Sequence, residues 1–466
     1  FYFVMSEGGA SVAIVGGGLA GSLAAVLLGK RGYKVDVYEK REDSRSEAFQ
    51  WEGRSINLAL STRGRKAIRK AGIEDKIVAQ CIPMKGRMMH DVSGKLSYMP
   101  YGIDDQVVLS AGRRMLNEEL MNVAEEHPKV KFHFNTTTKQ VNVRETSFVA
   151  VDNDGNQSTV KPDVIIGSDG SYSGVRSALQ HRKGINYSQT YLPHGYKELT
   201  IPPNSDGDFA MFTNALHIWP RGDFMMIALP NPDKTFTVTL FMPWDGENGF
   251  NQIKTEQQLM AFFESTFPDS IPLMPNLVKE YFENPVGHLV TIKCDPWYYN
   301  NTVIFGDAAH AIVPFYGQGM NASLEDADQF DDLLAACGGD IPSIFPKFFE
   351  IRKPAADAIS KLSHDNYIEM RSSVASSLFL LRKSVEKLVH RIIPNTFIPL
   401  YTMVAFTTIP YHKVIERDHK QTKIFNRCLM LGTVALGIGV ILVVPPFRHF
   451  VSTLLTDVRL RIRSTL

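Results

Sequence analysis

The chain has 466 residues and a formal net charge of +1, and 44% of its residues are hydrophobic. This balance excludes intrinsic disorder, which needs low hydrophobicity or a high net charge, and argues against a general nucleic-acid binder, which needs a clear basic excess. A chain of this length is expected to form two or three domains around a large buried core.

Four cysteines, Cys81, Cys294, Cys337 and Cys428, are scattered along the chain. No two of them have the spacing of metal ligands, and they are too few for a disulfide framework. We therefore expect no metal site and reduced thiols in a protein that faces the cytosol. The apolar start, 1–5, lacks a basic region and a long apolar run, so no secretory signal is expected.

The first predicted elements form a strand–helix–strand unit. An apolar run at 11–15 predicts a strand, the Ala- and Leu-rich stretch 19–28 favours a helix, and the alternation at 35–38 predicts a second strand. This unit is typical of the start of an α/β domain.

The turn of this unit carries a G-x-G-x-x-G motif at 16–21. Gly16 permits a tight turn, Gly18 lets a pyrophosphate approach the backbone, and Gly21 lets the helix pack close to the sheet. Glu39 follows Gly21 by 18 residues, where a carboxylate can accept hydrogen bonds from ribose hydroxyls. The motif predicts one dinucleotide site but does not separate FAD from NAD, and by itself it is also compatible with a glycine-rich turn that binds nothing.

Further elements follow in chain order. A helix is predicted at 113–126, alternating strands at 145–166, a sheet-rich region at 196–245, a buried strand at 303–305, a helix near 320–336, and mostly helices from 343 onward.

Two later motifs also follow predicted strands. The first is Gly167-Ser168-Asp169-Gly170, with Arg176 beyond it, and the second is Gly306-Asp307. A helix then begins within 317–321, and its positive N-terminal end suits an anion such as the edge of a reduced flavin. Taken singly, each motif is also compatible with an ordinary strand–turn–helix.

Together the three motifs, in this order, resemble those of the FAD-dependent aromatic hydroxylases. The resemblance and the predicted elements together imply an α/β fold with a Rossmann-like FAD-binding domain, an inserted β-sheet substrate domain and a C-terminal helical region, and the length and flanks of the last apolar run favour a membrane helix at its end. The implied bounds are 9–100, 113–190 and 290–345 for the discontinuous FAD-binding domain, 191–289 for the sheet-rich substrate domain, 346–427 for the helical region and 428–447 for the membrane helix.

The resemblance also implies which residues hold FAD. Glu39 would hold the adenosine ribose, Arg113 would lie near the flavin, and Asp307 would meet the ribityl chain. Asp169 and Arg176 would serve both FAD and transiently bound NADPH. The full implied set is Gly16, Gly18, Leu19, Ala20, Gly21, Glu39, Arg41, Ala59, Arg113, Asp169, Asp307, Gly319, Met320 and Asn321.

Within that family, the chain looks like the members that hydroxylate L-kynurenine. The phrases that carry this likeness are 53–61, 82–84, 216–221, 224–230, 312–321, 366–371 and 398–401. The likeness implies that Arg87, Tyr101, Asn366 and Tyr401 bind the carboxylate and amino group of the substrate. Four more residues would enclose its aryl ring: Phe241, Pro314, Phe315 and Gln318.

The residues alone leave other interpretations open. Arg87 also suits a surface turn, Tyr101 a loop, and Phe241 plain core packing. We interpret His310 as a buried structural histidine beside the cofactor rather than a catalytic one. An arginine does, however, offer a planar fork that matches a carboxylate.

The implied reaction uses NADPH to reduce FAD, and O2 then gives a C4a-hydroperoxide that hydroxylates the ring at position 3. The hard chemistry belongs to the cofactor, so we assign binding residues and no protein catalytic residue. One alternative is a related hydroxylase that acts on a phenolic or quinone-precursor substrate. A second, from another class, is a flavin-fold binding protein without turnover, such as an escort of prenylated proteins.

The C-terminal segment differs from the rest of the chain. Residues 428–444 are uncharged and mostly apolar, and Arg427 and Arg448 bracket the uncharged run. This length is near the lower limit for a membrane-spanning helix, and a buried core helix is the alternative. The flanks 412–427 and 445–466 each carry a net charge of +3, so topology stays open. The resemblance implies the mitochondrial outer membrane, with the catalytic part facing the cytosol.

Overall fold

The computed structural model describes residues 10–46, 57–102, 106–182, 184–369, 385–386 and 388–443, and of 428–443 it describes only the backbone. The chain divides into two compact units, Phe1–His412 and Lys413–Leu466.

The described residues form strands that we number in chain order. They are β1 (Ser11–Val15), β2 (Lys34–Tyr38), β3 (Asn57–Leu60), β4 (Ile82–Met84), β5 (Gly86–His90), β6 (Leu96–Pro100), β7 (Val108–Gly112), β8 (Val130–His133), β9 (Thr137–Asn142), β10 (Ser147–Val151), β11 (Gln157–Val160), β12 (Val164–Gly167), β13 (Asn186–Ile201), β14 (Ala215–Arg221), β15 (Phe224–Pro230), β16 (Phe236–Pro243), β17 (Val286–Asp295), β18 (Tyr298–Tyr299) and β19 (Thr302–Ile304).

The α-helices are numbered in the same way. They are α1 (Leu19–Lys30), α2 (Thr62–Ala71), α3 (Glu74–Ala79), α4 (Arg113–Glu125), α5 (Gly174–Gln180), α6 (Glu256–Thr266), α7 (Leu277–Glu283), α8 (Asp307–His310), α9 (Gly319–Ala336), α10 (Phe345–Ile368), α11 (Leu400–Phe406) and α12 (Tyr411–Val443). Short 3₁₀ turns lie at Pro268–Leu273, Pro314–Tyr316 and Pro342–Ile344.

The predicted strand–helix–strand unit is confirmed. Strand β1 pairs in parallel with β2 and with β12, in a six-stranded sheet of order β18-β19-β12-β1-β2-β8. Helix α1 packs against α4 and α9, so nearly every one of its residues is buried. A helix covered on several sides needs no polar face, which explains its Ala- and Leu-rich sequence. The three glycine-containing motifs follow β1, β12 and β19, three adjacent strands of this sheet.

The sheet-rich region forms most of a seven-stranded sheet of order β17-β13-β16-β15-β14-β5-β6. Its core contains Trp219, Phe236 and Phe263, all fully buried. The predicted bounds placed residues up to 100 in the FAD-binding domain, but β5 and β6 belong to this sheet, because β5 pairs in parallel with β14. The local sequence of a strand does not specify a partner more than a hundred residues away, so the predicted boundary missed this pairing.

The C-terminal part is helical in the described residues, with α10, α11 and the start of α12 inside the predicted region 346–427. Of the predicted membrane segment 428–447, residues 428–443 continue α12, while 444–447 lie outside the described residues. Within the part of the chain that the structure describes, no helix has both the length and the apolarity that crossing a membrane requires.

A buried charge cluster holds α8 and α9 in place. Arg352 of α10 donates from Nε to Oδ1 of Asp326 and from one terminal nitrogen to Oε2 of Glu325, both at 2.7 Å. Oδ2 of Asp326 accepts the N–H of Gly306 at 2.8 Å and pairs with His310. Burial alone would raise the pKa of Asp326, but His310 and Arg352 hold that pKa below its usual range. The cluster therefore fixes the backbone just before Asp307.

Replacing Arg352 with Met is expected to lower the free energy of unfolding by about 3–5 kcal/mol, because Glu325 and Asp326 would keep buried charges without this guanidinium. Denaturation in urea measures the change. The control is Lys347→Met, which removes an exposed ion pair with Glu350 on the same helix and is expected to cost less than about 1 kcal/mol. Equal losses in the two variants would show that the cluster contributes no special stability.

Candidate active site

A cavity of about 370 Å³ lies where the ends of β1, β12 and β19 meet the seven-stranded sheet. The predicted site residues that line it are Gly18, Leu19, Ala20, Ala59, Arg87, Tyr101, Arg113, Phe241, Asp307, Pro314, Phe315, Gly319, Met320 and Tyr401. The cavity thus brings together residues from both predicted groups, those for a cofactor and those for a substrate.

The glycine-rich turn forms one end of the cavity. Gly16 has φ of 101°, and a Cβ there would lie 2.6 Å from the carbonyl oxygen of Ser168. A Cβ at Gly21 would lie 2.1 Å from the carbonyl oxygen of Gly16. Gly18 differs, because a Cβ there would meet no protein atom within 4 Å. Close packing of the chain therefore explains why positions 16 and 21 require glycine, whereas Gly18 borders open space that suits a ligand.

Glu39 stands at the end of β2 beside this turn. Its Oε2 accepts the N–H of Gly17 at 2.8 Å, and its Oε1 accepts the N–H of Arg41 at 2.9 Å. These bonds fix the carboxylate at the position where a ribose is expected. The side chain of Arg41 is exposed and does not line the cavity, so Arg41 contacts this site through the backbone N–H that it donates to Glu39.

Asp169 lies behind Ser168 and Gly170, which line the cavity. Its Oδ2 accepts the N–H groups of Gly174 and Val175 at 2.7 and 3.2 Å. Its Oδ1 is buried and has no hydrogen-bond partner among the described residues. Burial raises the pKa of this carboxyl above its usual value, against the hydrogen bonds that it accepts. A buried polar atom without a partner fits a site completed by a ligand.

Arg176 is only 3% exposed, and its guanidinium donates to the carbonyl oxygens of Ala308 and Ser171 at 2.8 and 2.6 Å. The side chain of Arg176 therefore links α5 to α8 and does not line the cavity.

The third motif and the start of α9 meet at the cavity. Asp307 begins α8 and lines the space, as do Gly319 and Met320 at the start of α9. The first N–H groups of any α-helix have no partner within the helix, so this end suits an anion.

The prediction for the Asn321 side chain needs correction. Its Nδ2 donates to the carbonyl oxygens of Ala59 and Gly317, and its Oδ1 accepts the N–H of Ser61. Asn321 is fully buried, does not line the cavity and fixes the two chain segments that do.

A half-buried arginine and two tyrosines form another part of the cavity wall. The guanidinium carbon of Arg87 lies 4.7 Å from the ring centre of Tyr401 and 5.6 Å from that of Tyr101. The two rings stack at 5.0 Å. Burial raises the pKa of both phenols, so they remain protonated hydrogen-bond donors.

Arg87 has an incomplete set of partners. Its Nε is buried without a hydrogen-bond partner. Burial acts to lower the pKa of Arg87, but the neighbouring tyrosines and the carboxylate of Glu369 raise it overall, although Arg87 forms no ion pair with a carboxylate of the described residues. A buried charge is costly unless it is paired, so this end of the cavity suits a ligand carboxylate.

The cavity wall is aromatic and apolar near Phe241 and Phe315, whose ring centres lie 5.0 Å apart.

Two predicted substrate residues do not line the cavity and need correction. Asn366 donates from Nδ2 to the carbonyl oxygen of Phe315 at 2.6 Å. The Oε1 of Gln318 accepts the hydroxyl of Tyr411 at 2.9 Å. Both residues therefore hold the 311–320 segment through these hydrogen bonds and are not among the residues that line the cavity.

Several residues that line the cavity were not predicted from the sequence. Tyr316 stacks on Tyr401 at 5.7 Å, and Thr239 faces the cavity two residues before Phe241. The two-residue period of a strand would have identified Thr239 from Phe241. His310 is buried against Asp326 and does not line the cavity, in agreement with the structural interpretation.

Comparisons with known proteins agree with this arrangement. Residues 9–340 match the family model described as an FAD binding domain. A kynurenine 3-monooxygenase of Sus scrofa is 47% identical over 443 residues, which cover 94% of this chain and 93% of the relative. One of Anopheles gambiae is 47% identical over 429 residues, with 91% and 87% covered. One of Dictyostelium discoideum is 44% identical over 414 residues, with 86% and 89% covered.

Solved structures show the same fold at lower identity. A tetrameric 2-methyl-3-hydroxypyridine-5-carboxylic acid oxygenase aligns with a TM-score of 0.64 at 19% identity, covering 86% of this chain and 96% of that one. PqsL of P. aeruginosa, in complex with 2-aminobenzoylacetate, aligns with a TM-score of 0.61 at 20% identity, covering 78% and 97%.

Proposed function

The chain belongs to the kynurenine 3-monooxygenase family of FAD-binding proteins, and from this premise we propose that it hydroxylates L-kynurenine to 3-hydroxy-L-kynurenine with NADPH and O2. It is an FAD-dependent monooxygenase. The observation that carries the substrate assignment is the half-buried Arg87, which forms no ion pair among the described residues, has a buried Nε without a hydrogen-bond partner, and lines the same cavity as the glycine-rich turn.

The residues present fit FAD. Gly18 borders open space, Oδ1 of Asp169 lacks a partner, and Glu39 is fixed at the position expected for the ribose. We assign Asp307 to the ribityl chain and the start of α9 at Met320 to the flavin ring. Bound FAD supplies the redox chemistry, which is the oxidation of NADPH and the activation of O2.

The protein binds and orients the substrate. In our proposal Arg87 binds the substrate carboxylate through its planar guanidinium, while Tyr101 and Tyr401 donate hydrogen bonds beside it. The aryl ring then packs against Phe241 and Phe315, which line the same cavity as Arg87 and the glycine-rich turn. These apolar walls exclude water from the reacting ring, and the fixed carboxylate sets which ring carbon faces the flavin.

Kynurenine-dependent turnover is the direct test. The purified yellow protein is expected to oxidise NADPH and consume O2 much faster when L-kynurenine is present, and to form the 3-hydroxylated product. A parallel series with a phenolic acid and a quinone precursor tests the alternative hydroxylase. Stimulation by one of those compounds and not by L-kynurenine would overturn the substrate assignment. Bound flavin with no turnover on any substrate would favour a binding protein.

We also propose that residues 428–447 attach the protein to the mitochondrial outer membrane with the catalytic part facing the cytosol. The support is the uncharged run between Arg427 and Arg448, with basic flanks that suit anionic lipid headgroups.

Truncation before Lys413 is expected to release the protein from membranes in fractionated cells. Two arginines placed within the run, Leu436→Arg and Val440→Arg, are expected to do the same, because a charge at the centre of a bilayer is costly. The apolar pair Leu436→Ile and Val440→Leu serves as the control and is expected to stay bound. Retention of the truncated protein on membranes would contradict the proposed attachment.

A further inference from the structure

A second cavity, which we call the outer cavity, opens beside the buried one. It has a volume of about 730 Å³, and its lining includes Tyr172, Tyr191, Leu192, Trp244 and Asp245. Tyr172 and Tyr191 are 68% and 46% exposed, so this space is open to solvent. His288 of β17 lines both cavities. The two spaces are therefore separated at this point by little more than one strand.

The wall between the two cavities contains a β-bulge, where the pairing of β13 with β17 is interrupted. Strands β13 and β17 pair Tyr191 with Val290 and Gly195 with His288, so that three residues, 192–194, lie opposite Leu289 alone. A bulge of this kind interrupts the ladder of hydrogen bonds. The bulge is held from the outside, where the carbonyl oxygen of Pro193 accepts the N–H of Trp244 at 3.1 Å.

Side chains close the gap that the bulge leaves. Leu192 packs with Leu289 in the apolar cluster that also contains Phe241 and Phe315 of the buried cavity. Side chains change rotamer far faster than a strand leaves a sheet, so this wall can open without unfolding.

The chemistry of the outer cavity matches an aromatic amino acid. The ring of Trp244 stacks on His288 at 4.7 Å, and Tyr191 meets His288 edge-on at 5.7 Å. Such rings bind aryl groups and cations. The acidic Asp245 also lines the space, whereas neither lysine nor arginine does among the described residues. An ammonium group is attracted by this charge, and the phosphates of a dinucleotide are repelled.

We propose that the outer cavity is an access site for the aromatic amino-acid substrate. The substrate binds there by its ring and its ammonium group, and then passes Leu192, His288 and Leu289 into the buried cavity. The proposal rests on the proposed function, because the identity of the substrate comes from it.

A variant that narrows the passage tests this route. In Leu192→Trp holoenzyme, stopped-flow measurement of the flavin signal is expected to show association and dissociation rate constants for L-kynurenine that both fall about tenfold. The dissociation constant is expected to remain unchanged, because neither end state is altered. The control, Leu192→Ala, keeps the passage open and is expected to bind at least as fast as the unaltered protein. An unchanged association rate constant in Leu192→Trp would overturn the proposal.

A charge reversal at the rim gives a second test that does not depend on the wall. Asp245→Lys is expected to lower the association rate constant for L-kynurenine several-fold without changing kcat, and added salt is expected to reduce the difference. Asp206→Lys, the same change at an exposed position outside the outer cavity, is the control and is expected to leave the association rate constant unchanged. Equal association rate constants in the two variants would also overturn the access site.

These outcomes separate the two proposals. Normal turnover of L-kynurenine with unaltered association in Leu192→Trp removes the access site and leaves the proposed function intact. Absence of kynurenine-stimulated NADPH oxidation in the unaltered protein removes the proposed function and the access site with it.

Discussion

The Gly18→Val protein is expected to fold as the unaltered chain does but to purify without FAD, and therefore without yellow colour. A side chain at this position meets no protein atom within 4 Å, and the backbone at Gly18 has φ of −77° and ψ of −179°, an extended conformation that valine adopts readily. The added methyl groups would instead occupy the space where the pyrophosphate approaches the backbone. Flavin absorbance per protein measures the loss.

Two further measurements separate loss of binding from loss of folding. The thermal midpoint of Gly18→Val is expected to match that of the unaltered protein after its FAD is removed. Gly21→Ala is the contrasting variant, since its Cβ would lie 2.1 Å from the carbonyl oxygen of Gly16, and it is expected to be destabilised even without cofactor. A yellow Gly18→Val protein with full flavin content would overturn the assignment of this turn to the pyrophosphate.

The Arg87→Ala protein is expected to retain FAD and to show a KM for L-kynurenine raised about 100-fold or more, because removing one member of a buried charge pair costs about 2–5 kcal/mol. The free protein is not expected to lose stability, since the half-buried Arg87 forms no ion pair among the described residues and its Nε has no hydrogen-bond partner. Steady-state kinetics and flavin absorbance measure the two effects separately.

Lys85→Ala provides the matched control for charge. Lys85 is exposed and lies two residues before Arg87, so its removal is expected to leave KM unchanged. The KM of Arg87→Lys is expected to lie between those of Lys85→Ala and Arg87→Ala, because an ammonium keeps the charge but not the planar pair of donors. Unaltered kinetics in Arg87→Ala would remove this residue from the substrate site.

Much of the cofactor-binding half follows from the sequence alone. The strand–helix–strand unit at 11–38 was predicted within a few residues, because alternation and helix propensity are local properties. The glycine at position 16 was predictable for the same kind of reason, since its φ of 101° is a requirement of one residue in one turn.

The direction of individual side chains could not be predicted in this way. Three amide side chains belong to sequence motifs that suggest ligand contact, yet each forms a hydrogen bond within the protein. The bonds join Asn366 to Phe315, Gln318 to Tyr411 and Asn321 to Ala59. A polar side chain on a helix or loop turns toward whichever partner satisfies it. Those partners lie tens to hundreds of residues away, except where Asn321 reaches back to Gly317.

Short-range sequence patterns therefore establish the phosphate-binding turn, the order of the three motifs and the α/β class, because each depends on local periodicity or on the backbone conformation of single glycines. Tertiary structure alone decided that β5 joins the seven-stranded sheet, and through it that Arg87 meets Tyr101 and Tyr401 in one cavity. The same long-range pairing of strands placed the bulge of β13 between that cavity and the solvent. Pairing between distant strands depends on burial and contacts that form only in the folded chain, and no local pattern encodes it.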